Sequence, residues 1–253
     1  MKRIVFIGVL CAFVAAPAMA DLYGTVRVEY TGLIRGMDLS MASSASFGLV
    51  KLVDDVGLQQ IEFSGLALTP PPTLPADSYF NLGYTQAFCI DLYDGKPVGP
   101  EAYNVVSLDA APDPYAVLTL AGMGAIKAGF IAELLTNNTY ETAAKAAAMQ
   151  VAIWEIIDEN HNGGSNPWNV SAGQGNFYLD TVNGTHGETT IANSANVMLN
   201  ALTTGLSFDR YTAVSNGPAP KDFQDFVVVP APVAVLLGML GLGVAGVKLR
   251  KFA

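Results

Sequence analysis

One stretch, Glu141 to Asp158, constrains the fold more than any other, because it reads as a helix by every local criterion. It opens on Ala-rich helix formers, with an acidic residue in its first turn. Gln150, Ile153, Trp154 and Ile157 fall at i, i+3, i+4 and i+7, so they share one face. The stop is Asn160-His161-Asn162-Gly163-Gly164, a cluster of turn formers. A mostly apolar helix is expected before it, over Ala116–Leu135, weakened by Gly122, Gly124 and Gly129. Asn137-Asn138-Thr139 supplies the cap and turn between the two. A short helix is expected near Ile191–Leu202.

Strand sequence lies on both sides of this helical block. Leu22–Tyr30 alternates, with Tyr23, Val26, Val28 and Tyr30 as β-formers. Phe47–Val53 and Leu58–Phe63 read as a pair joined by a turn around Asp54, Asp55 and Gly57. Thr69-Pro70-Pro71-Pro72 and Pro75 mark a loop that no central strand can contain. Further strands are expected at Gln86–Leu92, Tyr103–Leu108, Phe208–Val214 and Phe223–Val229, with no internal repeat. The order of strands, helices and strands predicts an α+β fold: an antiparallel β-sandwich or barrel-like domain with a helical insert over about 115–205.

The two ends read as export signals. Lys2 and Arg3, the apolar run Ile4–Val14 and the small-x-small site Ala18-Met19-Ala20 form a signal peptide over 1–20. The mature chain is then expected to begin at Asp21, with an ectodomain over 21–226. The last part, 227–253, carries the uncharged run Val233–Val247, followed by Lys248, Arg250 and Lys251. With the preceding residues the run approaches the roughly 20 apolar residues of a membrane span, so a transmembrane helix is expected over about 230–247. Its cations should stay cytoplasmic. Pro230-Ala231-Pro232, the apolar run and the basic tail together resemble the PEP-CTERM sorting signal of Gram-negative bacteria, with Ala231 where that family usually has Glu. The resemblance implies an exosortase-type processing enzyme as partner. It also implies an inner-membrane-anchored intermediate, then release to the cell surface or an extracellular polysaccharide matrix.

Charge excludes several classes of function. Between the two signals lie eight basic and 22 acidic residues, a net charge of −14. That balance argues against nucleic acid and against docking on anionic lipid. The sequence contains no phosphate loop and no clustered Cys, His or carboxylate spacing for a metal, so no cofactor is expected.

The chemistry rests on one cysteine. Of Cys11 and Cys89, the first leaves with the signal peptide, so the exported protein keeps one thiol and no internal disulfide. A lone thiol in an oxidising compartment must be buried or occupied. Two segments bear on it: Ala87-Phe88-Cys89-Ile90-Asp91-Leu92 and Ala148-Met149-Gln150-Val151-Ala152-Ile153-Trp154-Glu155-Ile156. Together they resemble the paired motifs of bacterial Cys-Gln thioester domains of surface adhesins, with Met149 where Thr is often found. The resemblance implies a thioester crosslink between Cys89 and Gln150. Phe88, next to the sulfur in sequence, and Trp154, one turn along from Gln150, are expected to shield it from water, with Trp168 or Tyr84 as lids. An amine on a surface or matrix target would open it once, leaving an isopeptide bond, so no enzymatic turnover and no catalytic residue is expected.

Two other readings stay open. Cys89 can be the nucleophile of a protease or transglutaminase, with His161, in the loop after the Gln150 helix, as its base; the other histidine, His186, reads as an exposed loop residue. Alternatively the ectodomain is a passive matrix protein, its formal glycosylation acceptors at Asn137, Asn169 and Asn183 marking exposed loops. Asp158 and Glu159, after the motif helix, read as a solvated helix end.

Overall fold

The computed structural model describes residues 22–43, 51–68, 83–92, 95–112, 122–159, 168–172, 176–203, 205–217 and 223–229. The signal peptide, the Pro-rich loop, His161 and the C-terminal segment with Pro230, Ala231, Pro232, Lys248, Arg250 and Lys251 lie outside the described residues. Among the described residues no helix is long and apolar enough to cross a membrane.

The described chain is α+β, a mostly antiparallel sheet with three helices. In order it forms β1 (Leu22–Ser43), β2 (Lys51–Leu68), β3 (Gly83–Cys89), β4 (Glu101–Ser107), α1 (Gly124–Asn137), α2 (Ala143–Asp158), β5 (Phe177–Leu179), α3 (Glu188–Asn200), β6 (Thr212–Ser215) and β7 (Phe226–Val229). The strand order is β2-β3-β7-β6-β4-β1-β5, and β1 also pairs with β2, so the pairings of six strands return on themselves. The short β5 pairs with the far end of β1, at Met41–Ser43.

The expected hairpin at Asp54–Gly57 is corrected. Residues 51–68 form one continuous strand, β2, running antiparallel to β1 from Gly24↔Leu68 to Met41↔Lys51. The turn chemistry is present, but β1 satisfies it instead of a chain reversal. Asp55 adopts φ +60°, and its N–H donates to Asp38 Oδ1 at 3.1 Å. Its carboxylate accepts from Tyr30 Oη (3.2 Å) and Lys96 Nζ (2.6 Å). Gly57, at φ +150°, pairs with Gly36, and a Cβ there would lie 2.3 Å from the Arg35 carbonyl oxygen. Gly57→Ala is therefore expected to destabilise the domain by roughly 2–4 kcal/mol, read as a lowered midpoint in thermal unfolding.

Helix α2 packs on the sheet, α3 on α2 and β5, and α1 on α2. Thr142 caps α2, its Oγ1 accepting from Lys145 N at 3.2 Å. One buried face was expected for α2, yet every residue from Ala146 to Asp158 is buried. The reason is its position: β1, β2 and β5 pack against it, and so do α1 and α3. A helix enclosed on all sides is mostly apolar on every face, here with Gln150, Glu155 and Asp158 as buried exceptions, and the small residues Ala146, Ala147, Ala148 and Ala152 permit that close approach. Helix α1 starts at Gly124, later than expected. Gly122 instead bridges to Pro112, and Met123 N donates to the Ala111 carbonyl at 2.8 Å. At the other end of the chain, Val227, Val228 and Val229 pair with Phe88, Ala87 and Gln86 of β3. The sheet thus includes three residues assigned above to the sorting segment.

Candidate functional site

The site is built where one strand loses a neighbour. Gln59↔Ala87 is the last pair between β2 and β3. On its other edge β3 continues beside β7, through Cys89↔Phe226 and an Ile90 N–H to Asp225 carbonyl bond of 2.9 Å. Main-chain groups of successive strand residues point to alternate edges. Because Ile90 faces β7, the N–H and C=O of Cys89 face the edge that β2 has left.

Gln150 fills that place. Its Oε1 accepts from Cys89 N at 2.9 Å, and its Nε2 donates to the Cys89 carbonyl at 2.6 Å. The carboxamide thus binds Cys89 as a neighbouring strand would, across 61 positions of sequence. Both residues are fully buried. The two segments singled out in the sequence therefore meet through their Cys and Gln.

Cys89 is a free thiol. Its Sγ–H donates to the Asp91 carbonyl at 2.6 Å, and the Asp91 N–H donates back to Sγ at 3.3 Å. Burial pushes the thiol well above its ordinary range, and the charge of Asp91 adds to the effect. The hydrogen bond to Asp91 and the nearby Trp154 indole act the other way without offsetting burial. At neutral pH the sulfur is protonated, so any attack by it must release the proton as the new bond forms.

The expected shielding groups take different positions. Trp154, one turn after Gln150, is 3% exposed, and its ring packs against Phe177 at 6.2 Å. Its Nε1 is buried and closes no hydrogen bond among the described residues, although the indole acts on the Cys89 sulfur in favour of the thiolate. Phe88 is also buried, but strand alternation sends its side chain to the opposite face from that of Cys89, where it meets Tyr140 edge-on at 5.4 Å. Trp168 packs edge-on against Phe130 at 4.7 Å. Tyr84 is 66% exposed and five residues up β3 from Cys89, roughly 16 Å along the strand. His186 is tied to Glu188, its main-chain N–H donating to Oε2 at 2.8 Å and its Nδ1 lying 3.4 Å from Oε1.

Three groups were not anticipated from the sequence. The Asp91 main chain holds the thiol, and Tyr140 packs on Phe88. The third is Glu155, fully buried on α2. Its Oε1 accepts from Asn169 N at 2.7 Å, while its Oε2 has no hydrogen-bond partner among the described residues. Burial pushes its carboxyl up to about 8, and the charges of Glu159 and Asp158 add to this against the Asn169 bond. The solvated helix end expected at Asp158 is likewise corrected: Asp158 is buried, because the segments around Asn169 and Asn176 fold back over the end of α2. Comparison of the chain with known protein families, with curated proteins and with solved structures finds no match in any of the three.

Proposed function

We propose that the domain forms an internal thioester between Cys89 and Gln150 and uses it once, to attach covalently to an amine on a surface or matrix target. The observation that carries this reading is the pair of hydrogen bonds that docks the Gln150 carboxamide on the Cys89 main chain inside a buried site. The same bonds suit the chemistry. As Sγ adds to Cδ of Gln150, charge develops on Oε1, and the Cys89 N–H is already aimed at that atom. The Cys89 carbonyl holds Nε2, the atom that departs. The thiol proton leaves with it, so the products are a thioester and ammonia. Holding reacting groups in place lowers a barrier by about 7–11 kcal/mol in well-oriented systems. Full burial favours persistence of the bond by keeping water away.

Around this reaction the remaining expectations form one account. The ring of strand pairings favours a barrel-like domain over a two-sheet sandwich. The terminal signals would export the domain and anchor it for an exosortase-type enzyme, delivering it to the cell surface or matrix.

The test is intact mass. The purified ectodomain should be lighter than its sequence by one ammonia. Methylamine should then add to Gln150 and release one titratable thiol. Cys89→Ala should show its full sequence mass, capture no amine and stay folded, since it keeps the intact Gln150 carboxamide on both main-chain groups of residue 89. A parent at full mass that ignores methylamine would instead make the ectodomain a passive matrix protein.

A further inference from the structure

The Trp154 indole presents a problem that the thioester reading does not by itself explain. A buried N–H donor without an acceptor is costly, and proteins seldom retain one. Among the described residues Trp154 Nε1 is such a donor, on a residue 3% exposed. Helix spacing puts Trp154 on the face of Gln150, one turn along, and Gln150 is bonded to Cys89. The sulfur it approaches is a neutral thiol whose proton is given to Asp91. A neutral sulfur is a weak acceptor, whereas a thiolate is a strong one. The Asp91 N–H, at 3.3 Å, already points at the same atom.

We propose that the indole N–H of Trp154 and the main-chain N–H of Asp91 form a donor pair reserved for the Cys89 sulfur when it carries negative charge. Trp154 is then a catalytic residue of the capture step, and its N–H matters as well as its bulk. This rests on the thioester reading and assigns the leaving-group side of it. A primary amine adds through its lone pair to Cδ of Gln150. The C–S bond breaks, its electron pair passes to Sγ, and the two donors receive the thiolate. The proton lost by the attacking nitrogen then returns to sulfur, giving an amide and the free thiol. The Cys89 N–H stabilises the oxygen of the same intermediate, so each developing charge has its own donor.

Trp154→Phe removes the N–H and keeps an aromatic ring. The parent and this variant are compared by the rate at which methylamine adds, followed by intact mass, alongside their unfolding midpoints in urea. The variant is expected to add methylamine about ten- to a hundredfold more slowly at a similar midpoint. In parallel, the indole N–H resonance of Trp154 is compared between the parent and Cys89→Ala, where it should move because the atom it faces has gone. If the variant reacts at the parental rate, or if the resonance does not move, the donor pair is wrong while the thioester stands. If the parent carries its full sequence mass, the thioester reading itself fails and the capture role of Trp154 falls with it.

Discussion

Gln150→Ala is expected to abolish amine capture and to cost the domain about 2–6 kcal/mol. The two losses have separate causes. Capture disappears because no carboxamide carbon remains for the sulfur to attack. Stability falls relative to Cys89→Ala, which keeps the unreacted carboxamide, because the main-chain N–H and C=O of residue 89 both lose their partner in a site closed to water. Each buried main-chain group left unpaired costs about 1–3 kcal/mol. Urea unfolding measures this loss, and the Cys89→Ala protein is the control, since it loses capture with both main-chain bonds intact. The contrast between the variants separates chemistry from architecture. If Gln150 is only a structural crosspiece, Gln150→Ala still loses stability, but the parent shows no ammonia deficit. If Gln150→Ala is as stable as Cys89→Ala, the docking of the carboxamide on residue 89 is itself wrong.

Much of this site was legible because its key residues lie in segments with strong local patterns. The helix holding Gln150 could be read from its Ala-rich start and the i, i+3, i+4, i+7 spacing that also carries Trp154. Cys89 could be read from the apolar strand expected at Gln86–Leu92, although the strand itself runs Gly83–Cys89 and ends on it. How they meet could not be read. It depends on β2 leaving β3 at Ala87, a property of the register of three strands. The Asp54–Gly57 segment shows the same limit. Its residues are turn formers, but Asp38, Tyr30 and Lys96 satisfy them across the sheet, so the strand continues. The burial of Glu155 and Asp158 was hidden for a related reason. A carboxylate near a helix end reads as solvated until the loop that covers it is known, and here that loop returns from beyond residue 167. β5 has three residues, too few for any period to register.

Glu155 should make the domain lose stability as pH rises through the neutral range, and Glu155→Gln should remove that loss. The sign follows from proton binding. The folded carboxyl titrates near 8, against an ordinary value of 4.5. Between these values the folded state holds a proton that the unfolded chain releases, so unfolding free energy falls as pH rises. The contribution is fully present below pH 4.5 and is lost by about pH 8. Its full slope is about 1.4 kcal/mol per pH unit. Gln is neutral throughout and keeps an oxygen for the Asn169 N–H, so the variant retains the fold without the titration. Urea unfolding of both proteins at several pH values between 5 and 8 gives the comparison, other titrating groups cancelling in the difference. Parallel curves for the two proteins would refute the assignment, whatever their common slope. The position gives the result a functional consequence. Glu155 follows Trp154 on the helix that presents Gln150 to Cys89, so charging it weakens the element that holds both amide and indole in place. Capture should therefore lose fidelity at alkaline pH in the parent before it does so in Glu155→Gln, seen as methylamine addition accompanied by hydrolysis of the thioester.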